Sequence, residues 1–116
     1  MYDNNNIFAK ILREEIPCDK IYEDEFNLFF KDINPQAKIH ILGIPKFPCE
    51  DFADFIKNAD DKIIKSFFKS VQLVIKELNI EDKGYRIISN SGKDGGQEVP
   101  HFHIHILAGE SIGRIR

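Results

Sequence analysis

A chain of 116 residues with 42% hydrophobic and 30% charged residues is expected to form a single globular domain, which we assign to residues 1–116. Its formal net charge of −3 argues against a surface for nucleic-acid polymers, because such surfaces are usually basic. No stretch approaches the roughly 18 consecutive apolar residues of a membrane span, and the acidic, Asn-rich start is unlike a signal peptide, so we expect a cytoplasmic protein without a membrane partner.

The first half of the chain is predicted to hold one short helix, a hairpin and a buried strand. Apolar residues at i, i+1, i+4 and i+5 spacing predict a helix over residues 7–15 that ends before the first proline. Residues 20–23 and 27–31 are short β-prone runs, and the three residues between them predict a hairpin turn. After a turn signalled by an Asn-Pro pair, residues 39–44 form a mostly apolar run that predicts a largely buried strand.

The second half is predicted to hold a short helix, a long helix and two strands. We expect the short helix near residues 50–56. Over residues 61–78, apolar residues follow the i, i+3, i+4 rule with lysines on the other face, and Asp60 or Asp61 is placed to cap this helix. Residues 85–90 predict a strand. Together these elements predict an α+β fold in which an antiparallel sheet of about five strands packs with one long and one or two short helices.

The most informative stretch is His-Phe-His-Ile-His-Ile at residues 101–106. Strict alternation of polar and apolar residues is the period of a strand, so we predict a strand here with His101, His103 and His105 on one face. The chain has only four histidines, and three of them lie in this stretch. Because imidazole has a pKa near neutrality, such a row indicates proton transfer, nucleophilic attack or metal ligation.

The residues alone leave three interpretations of the histidine row open. Alternate residues of a strand lie about 7 Å apart, so two of the histidines could share a zinc ion, with another ligand such as Asp32 converging from elsewhere. The row could also be purely structural. We favour a nucleophilic histidine flanked by helpers, because the preceding Gly95-Gly96 pair lets backbone N–H groups approach an anionic oxygen closely.

The histidine row ends a longer motif, Gly-Gly-Gln-Glu-Val-Pro-His-Phe-His-Ile-His-Ile, at residues 95–106. Other informative blocks are residues 7–11, 15–17, 32–37, 40, 44–46, 84–86 and 90. Together the blocks resemble the histidine triad (HIT) superfamily and, within it, the Hint branch of nucleotide-binding hydrolases. The resemblance extends from about Ile7 to Gly109 and implies a HIT-like fold.

The resemblance implies a role for every histidine in the chain. His103 would attack the α-phosphorus of a nucleoside 5′-phosphate derivative, and His105 would contact the phosphate. His101 and His40 would belong to the supporting hydrogen-bond network. The same resemblance implies catalysis without a metal or another cofactor.

A nucleotide-binding set is implied as well. Asp32 would accept hydrogen bonds from the ribose hydroxyls, although from the residues alone a turn-capping role before Asn34-Pro35 is equally open. An apolar slot for the purine would be formed by Ile7, Phe8, Ile11, Ile16, Phe30 and Ile33. The phosphate oxygens would be held by Asn90 and by the segment Gly96, Gln97, Glu98 and Val99. Glu98 stands where better-known animal members carry a serine that helps the leaving group.

The predicted function is therefore hydrolysis of purine nucleoside 5′-phosphoramidates or aminoacyl-adenylates through a nucleotidyl-histidine, with release of an AMP- or GMP-type nucleotide. His105 favours water as the final acceptor, because the transferase branch typically carries glutamine at that position. Two alternatives remain, namely a nucleotide-binding interaction protein with incidental hydrolysis and a zinc-binding module. We also expect a homodimer, because Hint-like domains typically pair and a small domain gains from burying more apolar surface.

Overall fold

The computed structural model describes residues 1–115. In chain order its elements are α1 (Ile7–Leu12), β1 (Lys20–Glu23), β2 (Asn27–Lys31), β3 (Ile39–Pro45), α2 (Phe52–Asn58), α3 (Asp61–Glu77), β4 (Arg86–Ile88) and β5 (Ile104–Ala108). The strands pair antiparallel in one sheet of order β1-β2-β3-β5-β4. This confirms the predicted α+β fold with one long and two short helices. None of the helices within residues 1–115 has the length and apolar character needed to cross a membrane.

Several predicted elements differ from the observed ones at their ends, among them α2, which covers Phe52–Asn58 rather than residues 50–56. Three of these differences have a physical reason in the structure. Helix α1 stops at Leu12 rather than residue 15, and Glu14 adopts a positive φ of 62° that a helix cannot continue through. Strand β4 ends at Ile88 rather than residue 90, and the hydroxyl of Ser89 donates to the His103 carbonyl instead.

The third difference concerns the histidine row, whose predicted strand over residues 101–106 is wrong at its start. Strand β5 begins at Ile104, so His101 and His103 precede it. The reason is that the backbone N–H of Phe102 donates to the Cys49 carbonyl at 2.9 Å, in the loop before α2, and is therefore not paired with a strand. The alternation of faces persists, since Phe102 belongs with Ile104 to the apolar core.

Helix α3 covers one face of the sheet. The side chain of Asp60 caps it by accepting from the N–H of Ile63 at 3.0 Å. The buried stripe of the helix packs with α2 against the sheet residues of that face. This main core contains Phe29, Ile41, Phe55, Phe67, Val71, Val74, Ile75, Phe102, Ile104 and Ile106.

Helix α1 lies on the opposite face and forms a second, smaller core. Phe8 and Ile11 of the helix pack on strand residues that alternate with those of the main core. These strand residues are Leu28, Phe30, Leu42 and Ile44. Because α1 is short, much of this face is left uncovered toward the end of β2 and the middle of β3 and β5, and the candidate site lies there.

Candidate functional site

A cavity of about 630 Å³ opens on the α1 face of the sheet. Its apolar wall consists of Ile7, Phe8, Ile11, Ile16, Pro17, Cys18, Phe30, Ile33, Leu42 and Val99. Its polar wall consists of Lys31, Asp32, Asn34, Gln36, His40, Asn90, Gly96, Glu98, His103 and His105. This volume, together with an apolar wall that faces convergent polar groups, is typical of small-molecule sites.

Strand pairing brings His40 and His105 together. In the β3–β5 ladder, Leu42 is opposite His105 and His40 is opposite Leu107, so the two histidines are diagonal neighbours on the α1 face. The Nε2 of His40 lies 2.9 Å from Nδ1 of His105. The long-range pairing of these strands therefore joins His40 to the C-terminal histidine row.

The hydrogen bonds of His103 determine which of its ring nitrogens is free. Nδ1 of His103 lies 2.7 Å from the carbonyl oxygen of His101, and because a carbonyl only accepts, Nδ1 carries the proton. Burial lowers the pKa of His103, so its ring is neutral at neutral pH and Nε2 keeps a lone pair. The ring packs edge-on against Phe8, with centroids 4.9 Å apart. His103 thus lines the cavity as a neutral imidazole with an unprotonated nitrogen.

The same reasoning assigns the protons of His40 and His105. The backbone N–H of Gln36 donates to Nδ1 of His40 at 2.9 Å, so the neutral His40 ring is protonated at Nε2. Nε2–H of His40 faces Nδ1 of His105, which must therefore accept. Oδ2 of Asp32 lies 3.4 Å from Nε2 of His40. His105 therefore carries its proton on Nε2 and offers a hydrogen-bond donor to a ligand.

Both rings of this pair are neutral at neutral pH. Burial lowers the pKa of His105 to about 4, with the neighbouring histidines adding to the effect. Burial also lowers the pKa of His40, and the nearby Asp32 carboxylate opposes that shift. The pair accordingly presents a hydrogen-bond donor to the cavity without holding a permanent positive charge.

His101 is fully buried and supports the site from outside the cavity. Its Nε2–H donates to the Pro45 carbonyl at 2.8 Å, and its Nδ1 lies 2.6 Å from the hydroxyl of Tyr2. Burial lowers the pKa of His101 to about 4. The backbone carbonyl of His101 accepts a hydrogen bond from Nδ1–H of His103, and this bond links His101 to the cavity.

The structure brings most of the sequence-predicted site residues to one cavity. Those that line it are Ile7, Phe8, Ile11, Ile16, Phe30, Asp32, Ile33, His40, Asn90, Gly96, Glu98, Val99, His103 and His105. Ile33 is 91% exposed and so lies at the rim rather than inside an apolar slot. Asp32 also caps the turn that follows it, because its Oδ1 accepts from the Asn34 N–H at 2.8 Å.

Two predicted site residues, His101 and Gln97, do not line the cavity. The side-chain Nε2 of Gln97 donates to the carbonyls of Glu50 at 2.7 Å and Val99 at 2.9 Å. Its side-chain Oε1 accepts from the Gly92 N–H at 3.0 Å. Gln97 therefore braces the loop that carries Glu98, a contact that suits positioning rather than ligand binding.

Some residues of the site were not found from the sequence. Leu42 was missed although period-two alternation with His40 places it on the same face. Gln36 was missed because it acts through its backbone N–H, which has no sequence signature. Tyr2 was missed because it is 99 positions from His101 along the chain.

A metal could be considered at Asp32, His40 and His105, whose ligand atoms lie within 4.8 Å of one another. A zinc ion would need the lone pair of His40 Nε2. That requirement moves the His40 proton to Nδ1, where it would point at the N–H of Gln36. The donor set is right for zinc, but the hydrogen bonds around it fit a chain of proton donors better.

Comparison with known proteins identifies relatives along almost the whole chain. A HIT domain family model matches residues 13–112. An uncharacterized 13.2 kDa HIT-like protein of Azospirillum brasilense is 51% identical over 112 residues, covering 97% of this chain and 92% of the relative. A 14 kDa zinc-binding protein of Zea mays is 41% identical over 113 residues, covering 95% of this chain and 86% of the relative.

Solved structures that superpose on this chain carry histidine triad names as well. A HIT family hydrolase from Clostridium thermocellum superposes with a TM-score of 0.84 at 37% identity, covering 97% of each chain. A histidine triad nucleotide-binding protein from Candida albicans superposes with a TM-score of 0.79 at 30% identity, covering 88% of this chain and 73% of that one.

Proposed function

Because the chain belongs to the HIT domain family, we propose that it hydrolyses purine nucleoside 5′-phosphoramidates or aminoacyl-adenylates and releases the nucleoside monophosphate. The observation that carries the proposal is His103, a neutral imidazole with an unprotonated Nε2 at the wall of a cavity of about 630 Å³. The names of the two similar structures, a hydrolase and a nucleotide-binding protein, support the same class of activity.

The cavity walls suit the parts of such a substrate. The apolar wall with Phe8, Ile11 and Phe30 accepts a flat purine ring, and the carboxylate of Asp32 accepts hydrogen bonds from ribose hydroxyls. The side-chain amide of Asn90 supplies a donor for a phosphate oxygen, whereas the backbone N–H of Gly96 is already bonded to the Lys93 carbonyl at 3.1 Å. Adenine and guanine are both accommodated, because an apolar slot holds either ring through burial.

The proposed reaction has two steps at phosphorus. Nε2 of His103 attacks the α-phosphorus, and the bond from phosphorus to the amine nitrogen or acyl oxygen breaks. An amine leaves after taking up a proton from solvent water, whereas an acyl group leaves as its carboxylate. Water then attacks the nucleotidyl-histidine and returns His103 to its neutral state. In both steps Nε2–H of His105 donates to a phosphate oxygen, while Nε2–H of His40 donates to Nδ1 of His105 and Oδ2 of Asp32 lies 3.4 Å from that His40 nitrogen.

Glu98 lies on the exposed side of the cavity, on the loop braced by Gln97. We propose that it faces the leaving group, where a carboxylate would favour a cationic amine over an anionic group. Comparing turnover of phosphoramidates that differ only in the charge of the amine tests this preference, with Glu98→Gln as the matched variant.

Intact-mass spectrometry tests the proposed activity directly. The protein is mixed with an adenosine 5′-phosphoramidate and quenched with acid within the first turnover. We expect a mass increase of one adenylyl group, which proteolysis should locate at His103. A complete lack of adduct and of AMP release, at saturating substrate, would contradict the proposal.

A second candidate is a zinc site formed by Asp32, His40 and His105. The convergence of three ligand atoms and the name of the maize relative favour it. The Gln36 N–H that points at His40 Nδ1 opposes it. Elemental analysis separates the two candidates, since the hydrolase proposal expects well under one zinc per chain and activity that survives chelation. One tightly held zinc, removed together with activity, would favour the second candidate.

We further propose that two chains pair as a homodimer. Strand β4 pairs with β5 and forms an edge of the described sheet. Helix α3 contacts β2 and β3, which lie farther from that edge. Ile87 of β4 projects on the α3 face beside Ile106 and is about half exposed, as are Phe68 and Leu73 of α3. Exposed apolar side chains on an edge strand and on the outer side of a helix suit a partner. Sedimentation at micromolar concentration should therefore show a species near twice the 13.4 kDa chain mass.

A further inference from the structure

Tyr2 makes a hydrogen bond to His101 although it does not line the cavity. The phenol oxygen lies 2.6 Å from Nδ1 of His101, and the two rings meet edge-on with centroids 5.6 Å apart. Because Nε2 of His101 gives its proton to the Pro45 carbonyl, Nδ1 of the neutral ring can only accept. The Tyr2 hydroxyl is therefore the donor, and burial raises the pKa of this phenol, which keeps the proton in place.

Both nitrogens of the His101 ring are thus held, one by Tyr2 and one by Pro45. A buried ring with both nitrogens bonded cannot rotate without leaving a polar atom unsatisfied. The backbone carbonyl of the same residue accepts the Nδ1–H of His103 at 2.7 Å. The orientation of His101 therefore fixes the acceptor that keeps Nε2 of His103 unprotonated.

The segment that carries Tyr2 is itself tied to the cavity wall. The backbone and side-chain N–H groups of Asn6 donate to the Asp3 carbonyl at 3.2 and 2.7 Å. The oxygen of the same side chain caps α1 by accepting from Ala9 at 2.9 Å. Residues 3–6, which directly follow Tyr2, are consequently anchored to the helix whose Phe8 packs on both His101 and His103.

We propose that Tyr2 is a positioning residue for the nucleophile. Its hydroxyl holds the His101 ring, and through the His101 carbonyl it sets the ring orientation and tautomer of His103. The kinetic part of this inference rests on the proposed function of His103, whereas the geometric part does not. Tyr2 itself contacts neither substrate nor the reacting atoms.

The test compares Tyr2→Phe, which removes the donor and keeps the ring, with Tyr85→Phe, a matched change at an exposed tyrosine outside the cavity. Nitrogen-15 NMR of the histidine rings reads the tautomers directly. In Tyr2→Phe we expect the Nδ1 resonance of His101 to shift toward that of an unbonded nitrogen, and the ring resonances of His103 to shift as well. Tyr85→Phe should leave both rings unchanged.

Single-turnover kinetics supplies the second readout. Tyr2→Phe should slow adduct formation from an adenosine phosphoramidate roughly 5- to 50-fold, the scale of one buried hydrogen bond, with KM changed less than about twofold. In a His101→Ala background the same substitution should have no further effect, because the residue it acts through is gone.

Each outcome decides the inference. Unchanged His103 resonances in Tyr2→Phe, or wild-type rates of adduct formation, overturn it. If the wild-type protein forms no adduct, the proposed activity fails, and the NMR comparison still decides whether Tyr2 positions His103. Equal shifts of the His103 resonances in Tyr2→Phe and Tyr85→Phe also overturn it, because the effect would then not be specific to the bond.

Discussion

At the scale of single residues, the site is organised by the protons of its histidines. Three of the four rings face a partner whose chemistry leaves no choice, a carbonyl for His103 and His101 and a backbone N–H for His40. From these fixed points the proton positions of all four rings follow. The result is one unprotonated nitrogen on His103 beside a protonated one on His105, which is the arrangement that attack on an anionic phosphorus centre requires.

Replacing His103 is the most direct test of this arrangement. His103→Ala should abolish adduct formation and lower phosphoramidate turnover by several orders of magnitude, because a group that positions phosphate cannot replace a nucleophile. His105→Ala should leave slower but measurable chemistry. Calorimetry with AMP serves as the control and should show little change in affinity for His103→Ala. Near wild-type turnover of His103→Ala, or an adduct on His105, would show that the assignment is wrong.

Asp32 can be tested separately from the chemistry. Its Oδ1 caps the turn at Asn34, so Asp32→Asn is preferred over alanine because it preserves an acceptor for that turn. Loss of the charge should weaken binding of AMP by about 1–3 kcal/mol, the scale of charge-assisted hydrogen bonds. Asp82→Asn, an exposed change outside the cavity, is the control for net charge. Equal affinities of the two variants, measured by calorimetry, would remove Asp32 from the ribose site.

At the scale of elements, the two faces of the sheet have separate tasks. The α3 face holds the larger apolar core, and the α1 face holds the smaller core together with the cavity. Strand β3 serves both, since Ile41 points to the main core while His40 and Leu42 point to the cavity. Small changes in the packing of β3 should therefore shift the side chains that line the cavity.

Gly43 of β3 offers a test of that packing. A Cβ atom at this position would lie 2.4 Å from a ring carbon of Phe29, which is fully buried. Gly43→Ala should therefore lower the free energy of unfolding by about 1–3 kcal/mol, the cost of overpacking a filled core. The free energy of unfolding is measured by urea denaturation at fixed protein concentration.

The matched partner for this variant is Phe29→Leu, which removes part of the ring that the new methyl group meets. The double variant should be more stable than the sum of the two single changes predicts, because the clash is relieved. Strict additivity would mean that Gly43→Ala acts through the backbone and not through contact with Phe29.

At the scale of the whole molecule, stability should depend on pH through the buried histidines. Burial lowers the pKa of His101 and of His105 from 6.5 to about 4. Between pH 6.5 and about 4 the unfolded chain therefore binds more protons than the folded one, and stability rises with pH in this window. The contribution of these two neutral rings to stability is fully present above pH 6.5 and is lost as the pH falls toward 4.

Urea denaturation at pH 7 and pH 5 should show this loss, in a range where most carboxylates remain ionised in both states. His105→Gln should reduce the dependence of the free energy of unfolding on pH, because one of the buried neutral rings is removed. Stability that is equal at the two pH values would contradict the assignment of these rings as neutral in the folded state.

Features that depend on neighbours along the chain could be predicted from the amino-acid sequence. Local patterns indicated every helix and strand of the described residues, although several bounds differed, and Asp60 was one of two residues predicted to cap α3, because a cap acts within three residues. Alternation also placed Phe102 and Ile104 in the core and His103 and His105 at the cavity. The histidine motif and its companion blocks pointed to the HIT family, which the family match confirmed.

Features that depend on distant partners could not be predicted from the sequence and are set by how the chain folds. Phe102 leaves the predicted strand because its N–H pairs with Cys49, and Gln97 braces a loop through Glu50. His40 meets His105 across 65 positions of the chain, and Tyr2 meets His101 across 99. Local patterns report which face a side chain occupies, but hydrogen-bond partners so far apart are set by strand order and chain path. The proton positions on which the chemistry depends are for that reason a property of the fold.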